Sequence, residues 1–168
     1  MSDIYNNHIY EDDTQEDRYL TFFLDKDIYG IEIKYINEII GMQKITKIPE
    51  VPHYAKGVIN LRGKIVPVID LRLKFKKEEI EYNDRTCIII VSVEDLLVGL
   101  IVDNVDEVAK IPKENIAAPP DYKVGFHNRY IKGIGKTEDT DTVKLLLDCE
   151  KILTDDEFEE ISQMRDKA

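Results

Sequence analysis

The chain has 168 residues, 43% of them apolar, and a formal net charge of −11. That much apolar material supports one ordinary domain or two very small ones and excludes a wholly disordered chain. The negative charge repels phosphate backbones and anionic bilayers, and no dense Lys/Arg stripe with interleaved aromatics offsets it, so nucleic-acid binding is disfavoured. The longest apolar runs, such as residues 88–91, fall far short of the ~18 residues a membrane span needs, so no membrane insertion is expected.

Residues 1–17 carry six acids and no Lys or Arg, and read as a flexible acidic tail. They lack the basic and apolar regions of a secretory signal, which makes a cytoplasmic protein the expectation. From Arg18 the pattern changes. "RYLTFFLDKDIYGIEI" predicts two strands around the turn "DKD". The prolines at 49 and 52 forbid regular helix or a central strand in "KITKIPEVPHYAKG", and Pro52 is placed to open a single turn closed by Gly57. "VINL" and "IVPVIDL" follow as strands, with Pro67 marking an edge or a bulge. A charged connector, "KFKKEEIEYNDR", leads to the strand pair "CIIIVSV" and "LLVGLIVDNVDEVAKI". A Pro-rich loop then precedes two short strands, "IKGIG" and "VKLLLD", around the acidic turn "KTEDTD".

The last element is helical. Thr154 with Glu157 three residues on is a capping box, and Leu153 and Phe158 occupy the hydrophobic-staple positions. Phe158, Ile161 and Met164 recur at helical spacing, and acids fill the first turn as the helix dipole prefers. The predicted helix covers residues 154–168.

An internal repeat organises the chain. "GIEIKYINEII" from Gly30 matches "GLIVDNVDEVA" from Gly99. Ile36 falls opposite Val105, Glu38 opposite Glu107 and Ile39 opposite Val108. "GVINLRGKIVPVIDL" from Gly57 is echoed from Gly133, with Asp70 opposite Asp148. Two copies of one unit of short strands predict a pair of small barrels or sandwiches packed together, because one such unit alone is marginal in size. The expected division is residues 18–80 and 82–150, with strands free to cross between them.

Local signatures of chemistry are absent. "GIGKT" at 133–137 is not a phosphate loop, since position 130 is Tyr and no helix pattern follows. His8, His53 and His127 have no partner at zinc-ligand spacing, and "DTDTV" lacks the Gly and distal Glu of a calcium loop. Cys87 and Cys149 form no C-x-x-C and read as buried thiols. No nucleophile–base arrangement stands at local spacing. The expectation is a chain with no catalytic residue, metal or cofactor, which works through surfaces.

"GVINLRGKIVPVIDLR" together with "YLTFFLDKDIYGIEIKYINEI" closely resembles the CheW family of chemotaxis coupling proteins. The resemblance runs from about Arg18 to Leu153 and takes in "IPEVP", "VGLIVDNVDEV" and "LLLDCEKIL". It implies a mainly β fold: two packed five-stranded SH3-like β-barrels, here followed by the C-terminal helix. It implies no enzymatic activity. The implied partners are the regulatory domain of a CheA-type histidine kinase and the cytoplasmic tip of a methyl-accepting chemoreceptor. The implied setting is the cytoplasm, with recruitment to membrane-associated receptor arrays and a monomer when free. The alternative is an SH3-like scaffold or adaptor in another two-component pathway.

Arg62 is the foremost candidate in this stretch. As a turn residue it is merely solvated, or pairs with a carboxylate such as Glu38, while Gly63 supplies a positive φ. As an interaction residue it is an exposed anchor, suited by its planar fork and apolar stem. The resemblance implies the second role, and the two are compatible. Gly57, Val58, Asn60, Leu61 and Gly63 flank Arg62 in the region the resemblance places beside a receptor groove, and Ile36 and Glu38 lie on the other matching segment. Glu107 opposite Glu38 argues for a structural role shared by both glutamates.

Overall fold

A computed structural model describes residues 16–119, 129–137 and 142–167. Most of the acidic tail, His8, His127 and most of the acidic turn near 140 lie outside the described residues. The elements in chain order are β1 (Arg18–Leu24), β2 (Asp27–Glu32), β3 (Ile36–Gly41), β4 (Ala55–Leu61), β5 (Lys64–Asp70) and a single helical turn, α1 (Leu71–Lys74). Then come β6 (Cys87–Val93), β7 (Leu96–Val102), β8 (Asn104–Lys110), β9 (Ile116–Ala117), β10 (Ile131–Lys136), β11 (Val143–Leu147) and α2 (Asp155–Lys167).

The strands form two sheets, β8-β1-β2-β11-β10-β9 and β3-β6-β7-β5-β4. In the second, the chain just after β3 returns to the far edge, where Thr46 bridges Val58 of β4. In the first, β9 follows β8 and pairs with β10 at the opposite edge. Each sheet therefore curls until its margins meet, which removes most free edges. The fold is mainly β, two small barrels with a C-terminal helix.

The repeat is real, and it is interleaved. Every strand of one sheet has its repeat mate at the same place in the other: β1 and β6, β2 and β7, β3 and β8, β4 and β10, β5 and β11. Gly30 sits beside Leu146 of β11 and Gly99 beside Val68 of β5, both across parallel pairs. The expected division at about residue 80 is corrected. Hairpin β1–β2 completes a sheet whose other strands come from residues 104–147, and the second sheet is built wholly from residues 36–102. The reason is the parallel pairing of β2 with β11 and of β7 with β5, which no hairpin connection can make.

Period-2 alternation then produces three apolar layers. Inside one barrel lie Ile59, Leu61, Val66, Val68, Ile88, Ile90 and Ile101. Inside the other lie Tyr19, Ala109, Ile111 and Leu146. The largest cluster lies between the barrels, where Phe22, Leu24, Ile31, Ile69, Ile89, Val91, Leu100 and Leu147 meet. Ile88 and Ile90 face one layer and Ile89 and Val91 the other, as strand geometry requires. This shared core holds the two barrels together.

Helix α2 packs on β4 and β5, with Ile161 and Met164 fully buried in the shared core. The capping box is formed. Glu157 N–H donates to Thr154 Oγ1 at 3.1 Å, and Thr154 N–H donates to Glu157 Oε1 at 2.8 Å. Leu153 and Phe158 pack on the core beside them. Two local expectations change. The turn opened by Pro52 closes already at Ala55, whose N–H donates to the Pro52 carbonyl at 2.9 Å, so Gly57 lies within β4. Pro67 is tolerated because the parallel ladder from β5 to β7 begins only at Val68.

Candidate functional site

The β4–β5 hairpin turns in two residues, since Leu61 pairs directly with Lys64. Arg62 and Gly63 have φ of 51° and 87°, and positive φ at both central positions matches the strand twist of a tight hairpin. Asn60 Oδ1 accepts from the Gly63 N–H at 2.8 Å and closes the turn. The tip is thus rigid, and it carries an Arg where Asn or Gly would be less strained.

Arg62 projects into solvent, its side chain 69% exposed. Both terminal nitrogens reach Glu38 on β3: Nη1 donates to Oε2 at 3.3 Å, and Nη2 donates to Oε1. The Arg62 bond holds the Glu38 carboxyl below its usual range. The fork spans the seam of the barrel, since β3 and β4 are opposite margins of their sheet. A surface pair of this kind contributes little to stability, so its geometric effect is the larger one. It holds the guanidinium in one orientation at the exposed tip.

The structure thereby joins Arg62, Glu38, Asn60 and Gly63 into one exposed unit. Ile36 is separate. It opens β3, half-buried against the shared core. Its repeat mate Val105, the second residue of β8, is half-buried too, and Ile33 and Tyr35 also pack on this core. Ile36 pairs with Val91 on β6 and Val105 with Phe22 on β1, so each packs on the shared core from its own sheet. Val105, Ile33 and Tyr35 went unnoticed in the sequence, although the repeat sets Val105 opposite Ile36.

Three expected contact residues are corrected to supports. Val58 is 3% exposed, in the shared core, and Leu61 is 5% exposed, inside its barrel. Gly57 is buried at a β-bulge with φ 141°, where a Cβ would come within 2.1 Å of the Thr46 carbonyl oxygen. Alternation puts Leu61 in the barrel with Ile59, whereas Val58 is on the face of β4 that carries Asn60 and is covered by the shared core, leaving Asn60 and Arg62 exposed. The two glutamates of the repeat also part company. Glu107 meets Lys144 at 3.4 Å, and its own N–H and carbonyl are held by Thr21 Oγ1. Each glutamate faces a cation, but only Glu38 faces an exposed one.

Among the described residues no helix is long and apolar enough to cross a membrane, and no group of three or more metal-type ligands converges. Cys149 is buried, and burial pushes its thiol well above the usual range; Cys87 is half-buried.

The family model of the CheW-like domain matches residues 18–157. Chemotaxis protein CheW of Klebsiella aerogenes is 36% identical over 146 residues, 87% of each chain. Chemotaxis protein CheW of Helicobacter pylori is 33% identical over 146 residues, also 87% of each. The crystal structure of the scaffolding protein TtCheW from Thermoanaerobacter tengcongensis superposes with a TM-score of 0.75 at 34% identity, covering 84% of this chain and 94% of that one.

Proposed function

This chain belongs to the CheW-like domain family, a group of chemotaxis scaffolds, and on that premise we propose that it couples chemoreceptors to a kinase. It is a non-enzymatic adaptor. It links the cytoplasmic tip of a methyl-accepting chemoreceptor to the regulatory domain of a CheA-type histidine kinase and so controls that kinase's autophosphorylation. It is a monomer when free and is recruited from the cytoplasm to membrane-associated receptor arrays.

The observation that carries this reading is the exposed, braced guanidinium of Arg62 at the hairpin tip. Arg62, Glu38, Asn60 and Gly63 form the polar part of the proposed contact surface. Ile36 supplies the apolar part, and Gly57, Val58 and Leu61 hold the hairpin from beneath. A receptor tip is a helical hairpin, and an apolar contact with a directed cation suits such a ligand. Single-site affinity in this reading is about micromolar, with array avidity supplying the rest.

Calorimetric titration of this protein into the isolated regulatory domain of a CheA kinase from the same organism tests the reading, with Arg62→Ala run beside the wild type. Saturable 1:1 binding is the expected result. Unchanged affinity in the variant assigns Arg62 to the receptor contact, and a receptor hairpin fragment then serves as the second titrant. Absence of binding by the folded wild type overturns coupling in its simple form.

A further inference from the structure

The shared core between the barrels is closed by charge at one end. Arg72, just after β5, is 5% exposed. Its Nε donates to Asp103 Oδ1 at 2.6 Å and its Nη2 to Asp103 Oδ2 at 2.7 Å. Nη2 also donates to Asp25, and Nη1 donates to the Glu78 carbonyl at 2.9 Å. The Asp25 N–H donates to Asp103 Oδ2 at 2.8 Å. These partners come from both sheets. Asp25 is in the β1–β2 turn of the six-stranded sheet, Arg72 follows β5 of the five-stranded sheet, and Asp103 is the single residue by which the chain crosses from one to the other.

The repeat supplies an internal control. The alignment that sets Gly30 on Gly99 puts Glu94 opposite Asp25 and Lys34 opposite Asp103. Asp25 and Glu94 both open their hairpin turns with positive φ, 56° and 48°, so the positions correspond in space as well as in sequence. The alignment of Asp70 with Asp148 puts Glu150 opposite Arg72. At that second end Glu150 is exposed, and Lys34 turns to Glu32 at 3.5 Å. The fork is built once in a molecule that has two places for it.

We propose that Arg72 is a positioning residue that fixes how one barrel is set against the other. The shared core is apolar, and apolar attraction is non-directional, so packed layers of this kind can slide by small amounts. A buried ion pair stabilises little compared with apolar packing, yet its directed bonds admit one arrangement. Arg72 therefore selects a register that the core alone leaves open.

Residual dipolar couplings of the full-length, 15N-labelled chain in a dilute aligned medium test this, with the N–H vectors of each sheet fitted separately. The wild type is expected to give one alignment tensor for both sheets. Arg72→Lys keeps the charge and loses the fork, and Arg72→Met with Asp103→Asn removes both charges at similar volume. The expected result in each is a cooperative fold whose two sheets no longer share a tensor. Folded variants that keep the wild-type common tensor overturn the proposal, including any that merely melt earlier, since that is what a purely stabilising Arg72 would give. Should the double variant fail to fold, Arg72→Lys decides alone. No partner takes part in this measurement, so it stands or falls separately from kinase coupling.

Discussion

The β4–β5 and β10–β11 hairpins share a frame and differ in what is attached to it. In both, a buried glycine marks a bulge, at Gly57 and Gly133. In both, an aspartate N–H donates to a tyrosine carbonyl at 2.8 Å, Asp70 to Tyr54 and Asp148 to Tyr130. In both, the second strand runs parallel to a strand of the other repeat copy. The attachments differ. Asp70 is 1% exposed and accepts from Arg72 N–H, Leu73 N–H and the Tyr82 hydroxyl, whereas half-buried Asp148 accepts from Glu150 N–H. The features held in common make the barrel. The β4–β5 unit alone adds a braced cation at one end and a buried fork at the other.

The comparison breaks most visibly at the glycines. Gly57→Ala places a Cβ against backbone at a φ that L-residues avoid, so a loss of about 3 kcal/mol and a Tm lower by roughly 10 °C are expected. Gly133→Ala meets the Cγ2 methyl of Ile116 at 2.5 Å and the Ala117 carbonyl oxygen at 3.3 Å, but without the positive φ of Gly57, and a smaller loss of about 2 kcal/mol is expected. Thermal melts of the pair check the contrast, and equal losses would mean that the two bulges are equally tight.

Next come the aspartates. Asp70→Ala removes a cap and strands the Tyr82 hydroxyl, for an expected loss of about 2–3 kcal/mol. Asp148→Ala removes one exposed cap bond and should cost about 1 kcal/mol or less by urea unfolding.

Acid sharpens the comparison through Glu157, which fastens α2 to the β4–β5 unit. Burial alone would raise this carboxyl. Bonds from Lys74 at 2.6 Å, Thr154 N–H at 2.8 Å and Tyr54 at 2.9 Å outweigh it and bring the pKa from 4.5 down to about 2. The folded state thus binds this proton more weakly than the unfolded chain. The resulting stability is fully present above pH 4.5 and is lost as pH falls toward 2. After allowance for solvent screening it is about 2 kcal/mol. Melts of wild type and Glu157→Gln should differ by that amount at neutral pH and converge in acid.

The smallest effect is expected at the cation. Arg62→Ala should leave the cooperative melt nearly unchanged, since an exposed pair contributes little, while weakening assembly. A lost cooperative melt would return Arg62 to a purely structural role.

Much of this was legible in the residues. Alternation and turn chemistry located most of the strands, and the capping box placed α2 to within a residue of its start. The Gly-to-Asp repeat gave two equivalent units. The interleaving was not legible, because parallel pairing between β2 and β11 joins segments more than a hundred residues apart and leaves no local pattern. The α1 turn falls between a segment read as strand, which ended at Leu71, and the charged connector, which began at Lys74, and no helix was expected there. At the site, Arg62 and Glu38 were found together; strict alternation along β4 would have excluded Leu61, but Val58 shares its face with Asn60 and is covered only where the barrels meet. Arg72 lay inside the quoted motif, but its partners Asp25 and Asp103 become neighbours only when the two sheets meet.

The interleaving also sets an order of events during synthesis. All five strands of one sheet lie within residues 36–102, so that barrel can close as soon as this stretch has left the ribosome. The β1–β2 hairpin emerges earlier but stands in the middle of the other sheet, between β8 and β11. It must wait, apolar faces uncovered, until residues 143–147 have been made. The first strands of the fold to be synthesised are among the last to find their place, and that interval is when the nascent chain is most exposed to aggregation and most dependent on chaperones.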